Sequence, residues 1–241
     1  MSALSVETTV GEVVSERPGL SGVFENLGID FCCGGKNTLA EACREKGLDP
    51  ETVLKVLEAS SGPADTGAAV NCSDMTMTEL ADHIEQTHHT FMKEELPRLD
   101  EIVRKVSQVH GESHPNFREL ESVFDALQAE LSQHLMKEEQ ILFPFVRQLE
   151  KSDSLPSFHC GTIANPISVM EFEHDNAGKA LARIAELTNN YTPADGACST
   201  CHVMIDGLRR LEADLHQHIH KENNILFPRA KEAEAELAAR V

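Results

Sequence analysis

The segments SQHLMKEEQILFP (Ser132 to Pro144) and HQHIHKENNILFP (216 to 228) repeat one pattern, Q-H-x-x-K-E-x-x-I-L-F-P, 84 residues apart. Each lies in a helix-forming run and sets a histidine and a glutamate four residues apart on the face that should be apolar. By helical spacing, Leu120, Phe124, Leu127, Leu131, His134, Glu138, Ile141 and Phe145 form one unbroken stripe. Met204, Leu208, Leu211, Leu215, His218, Glu222 and Ile225 form another. A bundle helix buries such a stripe, and burying an imidazole and a carboxylate without compensation costs several kcal/mol. The repeat demands a fold in which something compensates them twice.

Two further runs carry one core histidine each. Ile167, Met170, His174, Ala177, Leu181 and Ile184 make one stripe; His89, Met92, Leu96, Leu99, Val103 and Val106 make the other. His89 precedes His134 by 45 residues and His174 precedes His218 by 44, so the chain reads as a helical hairpin used twice. With no convincing alternating run, the pattern predicts an all-α chain whose C-terminal part is an antiparallel four-helix bundle. Its helices are expected over 76–109, 116–150, 166–190 and 200–238, with kinks or early stops at Pro97, Pro144 and Pro228. The small, turn-prone run 61–73, SGPADTGAAVNCS, reads as a linker between a helical N-terminal domain at 1–60 and the bundle at 74–241.

Forty acidic against 21 basic residues give a formal charge of -19, which argues against nucleic acid and anionic membranes as partners. Glu7, Glu12, Glu16 and Arg17 interrupt the first thirty residues, so neither a signal peptide nor a membrane span is expected and the cytoplasm is the expected compartment. Seven cysteines, odd in number and irregularly spaced, then act as thiols, ligands or redox groups rather than as a disulfide framework.

Four imidazoles and two carboxylates at one depth of a bundle point to a metal site. The ratio suggests two metals, held by His89, His134, Glu138, His174, His218 and Glu222. Two bridging glutamates, two histidines per metal and a solvent-derived oxo bridge make five ligands each and leave one position open. The mixed donors suit non-haem iron better than structural zinc, which prefers a closed tetrahedron. His83, His88, His216 and His220 fall off the stripes. His110 shares a stripe with His89, but 21 residues of straight helix put it about 31 Å away. In CSTCH, at Cys198 to His202, the letters match a haem attachment site, yet a local thiol pair or metal contact fits this chain better.

Taken together, DHIEQTHH around His89, HLMKEEQILFP, SVMEFEHD around His174, HIHKENNILFP and the N-terminal GIDFCCGGKNTLAEAC resemble the repair-of-iron-centres (RIC) proteins, hemerythrin-like di-iron proteins with an N-terminal di-cysteine domain. The resemblance covers nearly the whole chain. It implies a di-iron bundle that restores iron-sulfur clusters damaged by nitric oxide or peroxide. Partners would be damaged or apo iron-sulfur proteins and small diatomic ligands, nitric oxide and oxygen, with the chain a monomer or homodimer. An iron donor, an oxidoreductase reducing nitric oxide or peroxide, and a gas sensor are the three functions it leaves open.

Cys32 and Cys33 are the candidate redox or iron-handling residues. They precede a helix that Thr38 and Glu41 should cap, and a position ahead of a helix N-terminus predicts a lowered thiol pKa. The stripe argument separates ligands from bystanders. His134→Ala or His218→Ala should cut bound iron from about two per chain to about one or fewer, whereas His114→Ala and His159→Ala should leave it unchanged. Metal analysis of the four variants decides.

Overall fold

In a computed structural model the described residues are 4–60 and 72–240, and no strand occurs among them. Four short helices come first: α1 (Val10–Glu16), α2 (Ser21–Leu27), α3 (Leu39–Glu45) and α4 (Pro50–Ser60). Four long ones come next: α5 (77–110), α6 (116–151), α7 (Ala164–Leu187) and α8 (199–238). All four long helices match the stripes to within three residues at either end. α7 stops short of residue 190 because Asn189, Asn190 and Tyr191 take left-handed φ angles of 51°, 51° and 54°, which no helix continues through. The expected linker lies outside the described residues except for residues 72 and 73, which open a short 3-10 turn, Cys72–Asp74.

The chain packs as two compact units: Met1–Ala81 with Val146–Ser157 and His216–Val241, and Asp82–Phe145 with Phe158–Leu215. In the second, the stripes of all four long helices meet in one core that includes Leu96, Leu99, Phe124, Leu131, Leu181, Leu208 and Leu211. Neighbouring helices run antiparallel. His89 near the start of α5 reaches Glu138 late in α6, and Arg183 late in α7 bonds Glu119 early in α6.

Within the first unit, α1 and α3 each begin on a complete capping box, Thr9 with Glu12 and Thr38 with Glu41. The two caps sit side by side through an isolated bridge between Thr9 and Thr38. Val10, Val13, Phe24, Phe31, Leu39, Cys43 and Leu57 pack with Ile219 of α8 into one apolar cluster. Gly11 and Gly35 lie against the Asn224 side chain. A Cβ on Gly35 would come within 2.3 Å of its Oδ1, so only glycine fits.

Three five-residue π-helical turns interrupt the long helices: Glu85–His89 in α5, Glu138–Leu142 in α6 and Glu222–Leu226 in α8. Each adds a residue to one turn and so rotates the remainder of its helix by about 100°. This corrects the expected stripe on α6: Ile141 is 37% exposed, and Leu142, Phe143, Val146 and Leu149 take the buried face. The turns also explain the prolines. The ring of Pro144 opposes the carbonyl of Gln140 and that of Pro228 opposes Asn224, both inside a wide turn that relieves the clash. α5 continues through Pro97 to His110 without stopping.

Gly35→Ala should destabilise the protein by about 1–3 kcal/mol through overpacking, and Thr38→Ala by about 1 kcal/mol through loss of the cap. Chemical denaturation of both variants tests the ranking; an unchanged midpoint for Gly35→Ala would contradict the close approach.

Candidate metal centre

In the second unit the site is built around Glu138, the first residue of the α6 wide turn, whose side chain is wholly buried. His89 closes the wide turn of α5 and brings Nε2 to 3.4 Å from Glu138 Oε2. His134, one turn earlier on α6, brings Nε2 to 3.1 Å from Glu138 Oε1. From the regular helix α7, His174 points its Nε2 at His134 Nε2, 3.1 Å away. Donor atoms of His134, Glu138 and His174 all lie within 4.8 Å of one another.

The outer nitrogens decide how this cluster is charged. His89 Nδ1 donates to Glu139 Oε1 at 2.8 Å, and His134 Nδ1 donates to Glu173 Oε2 at 2.9 Å. Lys93 and Lys137 hold those two carboxylates in turn. In the neutral tautomers these bonds favour, the Nε2 lone pairs of His89 and His134 point inward at the Glu138 carboxylate oxygens. Electron-rich atoms face each other across about 3 Å, an arrangement that a cation between them reconciles. The donor set therefore fits a metal. Glu173 is held down to about 2, first by the bond from His134 and then by Lys137, against the cost of partial burial. Burial pushes the Glu139 carboxyl up, but bonds from Lys93 and His89 outweigh it and leave it below its usual range.

His218 and Glu222 belong to the first unit, both buried, with Nε2 of His218 at 3.2 Å from Oε1 of Glu222. Two residues beyond Glu222, Asn224 Nδ2 donates to the carbonyls of Phe31 at 3.2 Å and Cys32 at 3.0 Å. This places the cysteine loop against the wide turn of α8. There Asp30 Oδ1 accepts from the backbone N–H groups of Cys32 and Cys33 at 2.9 and 3.0 Å and from the Cys32 thiol at 3.1 Å. The sulfurs are 3.9 Å apart. The Cys32 thiol is pushed well up, by the hydrogen bond with Cys33 first, then by burial and by the charges of Cys33 and Asp30. That reverses the expected direction: α3 begins only at Leu39, too far for its N-terminus to act, while an acidic group lies against the sulfur.

Most of the other histidines have separate partners. His88 bonds Asp214 at 2.9 Å, His220 bonds the Phe31 carbonyl at 3.3 Å, and His216 packs edge-on against Phe31. The stripes missed Glu139 and Glu173, which sit one residue from a stripe position; adjacency to Glu138 and His174 was the available signal. His110 ends α5 far from His89, with Nε2 3.4 Å from Cys198 Sγ, itself 3.4 Å from Cys201 Sγ. Cys198 is lowered to about 6 by the backbone N–H and thiol of Cys201 and then by His110, and burial raises Cys201 to about 11.

The family model of the hemerythrin HHE cation binding domain matches residues 80–230. The chain belongs to the hemerythrin family. Ahead of the hemerythrin domain, residues 6–61 match ScdA_N, a domain of unknown function (DUF542). The proteins named iron-sulfur cluster repair protein YtfE from Escherichia coli O17:K52:H18 and Shigella boydii serotype 4 are each 40% identical over 222 residues, 92% of this chain and 95% of theirs. That of Citrobacter koseri is 38% identical over the same span. Among the described residues of this hemerythrin protein no helix is long and apolar enough to cross a membrane.

Replacing Glu173 by Gln keeps its size but weakens the hold on His134 Nδ1. Metal affinity of the hemerythrin domain should fall about 10–100-fold, and competition against a chelator measures it; an affinity equal to the parent's would show that Glu173 does not orient the ring.

Proposed function

We propose that this protein repairs damaged iron-sulfur clusters by handing iron from a two-iron centre to apo or damaged cluster proteins in the cytoplasm. The observation that carries the reading is identity of 40% over 92% of the chain with proteins named for iron-sulfur cluster repair. The inward-facing imidazoles around a buried carboxylate support it chemically.

On this reading His89, His134, Glu138, His174, His218 and Glu222 are the ligands. Their support is the sequence repeat, the hemerythrin match running from 80 to 230 across all six, and their burial. Two non-haem irons, bridged by both carboxylates and an oxo group, would supply exchangeable iron. The protein's own part is to orient and to exclude water. Glu139 and Glu173 keep the protons on the outer nitrogens, and the apolar stripes keep the inner ones dry. Cys32, Cys33 and Asp30 form a separate group of donors, each within 4.8 Å of the others, suited to transient handling of the iron or to docking of the acceptor.

An anaerobic assay with iron-loaded protein, scoring iron transfer to an apo-cluster acceptor alongside nitric oxide consumption, tests the reading. Stoichiometric transfer is expected, and Cys32→Ser/Cys33→Ser should keep its iron yet lose most of the transfer. Catalytic gas consumption with an electron donor and no transfer would establish a reductase instead. Full transfer by the double variant would assign the pair to packing.

A further inference from the structure

At the end of the second unit that holds the last turn of α5 and the first turn of α8, three soft or borderline donors converge: His110 Nε2, Cys198 Sγ and Cys201 Sγ. They come from helices whose facing ends are 88 positions apart in sequence, so the cluster is made by the fold and not by a local turn. All three donor atoms fall within 4.8 Å of one another. Zinc bonds of about 2.3 Å to sulfur and 2.0 Å to nitrogen in a tetrahedron give edges of about 3.8 Å between sulfurs and 3.5 Å between sulfur and nitrogen. The observed 3.4 Å for both lies within a few tenths of an ångström of those edges.

The surroundings fit a thiolate ligand. Cys198 stands just ahead of the first residue of α8, and its sulfur accepts from the backbone N–H groups of Thr200 and Cys201, donors left over by the helix start. Cys201 is buried among Met204, Leu208 and their neighbours, whereas Cys198 is at the surface and gives an ion a way in. The nearby His202 is turned to the Cys198 carbonyl, 3.0 Å from its Nδ1, so it does not complete the set.

We propose that His110, Cys198 and Cys201 form a second metal site, taking a thiophilic divalent cation of the zinc class with its fourth position open to solvent. Two sulfurs and an imidazole select against magnesium and calcium, which require oxygen. The site is distinct from the candidate iron centre, since α5 runs unbroken from Thr90 to His110 and holds the two about 31 Å apart. A bound ion would pin the last turn of α5 to the first turn of α8.

The test is an anaerobic titration of reduced, iron-loaded protein with cadmium ion, read by sulfur-to-cadmium charge-transfer absorption. Cys32→Ser/Cys33→Ser, which removes the other group of thiol donors, should still bind one equivalent with that absorption. Cys198→Ser should lose about half of it, and His110→Ala should bind roughly tenfold or more weakly, both with iron content unchanged as the check on folding. The proposal is overturned by no such absorption in the parent, by absorption unaffected by Cys198→Ser, or by absorption abolished by Cys32→Ser/Cys33→Ser. Conversion of Cys198 and Cys201 to a disulfide in air, without cadmium binding after reduction, would overturn it in favour of a redox pair.

Discussion

A carboxylate with no exposure to water, faced by imidazole nitrogens at 3.1 and 3.4 Å, is unstable in any protein that does not supply an opposing charge. Glu138 sets that condition, and the surrounding structure answers to it. Each imidazole is tethered from outside, His89 by Glu139 and His134 by Glu173, and each of those carboxylates leans on a lysine nearer the surface. The resulting chains run from solvent to core as lysine, carboxylate, imidazole, carboxylate. Only their outer links can exchange with water, so orientation is fixed where the dielectric is high and used where it is low. The apolar stripes do their part by closing the core below the donors.

The wide turns arise from the same condition. A regular helix places positions four apart on one side but keeps the next apolar residues in register with them. Beginning the extra residue at Glu138 and at Glu222 leaves the histidine one turn earlier undisturbed and re-aims everything after the carboxylate. Phe143 thereby becomes buried and stacks on the His89 ring at 5.6 Å between centroids. α7 has no such turn, whereas α5, which likewise contributes a histidine and no buried site carboxylate, has one that closes on His89. The internal repeat of sequence is therefore only partly a repeat of backbone.

Helix type and extent were legible in the residues because the stripes at 120–131, 167–184 and 204–215 are long, regular and free of interruption. Helix caps at Thr38 and Glu41 were legible for the same local reason. The features that escaped were non-local or non-periodic. An i, i+3/i+4 pattern carries no mark of a five-residue turn, so Ile141 and Phe145 were placed on the buried face that Leu142 and Phe143 occupy. The upward shift of Cys32 depends on Asp30 folding back over the sulfur, which position ahead of a helix cannot reveal. His110 was rightly kept away from His89, yet its thiol neighbours emerge only once the first and last helices are known to run antiparallel, with their opposite termini together.

One wide turn carries two duties. Glu222 opens it, and Asn224, two residues on, grips the carbonyls of Phe31 and Cys32, one on each side of the Cys32 α-carbon. Gly11 and Gly35 leave that amide no slack, since even a methyl group at Gly35 would collide with it. The acidic end of the turn and the cysteine loop are thus joined through two residues of backbone and one amide side chain.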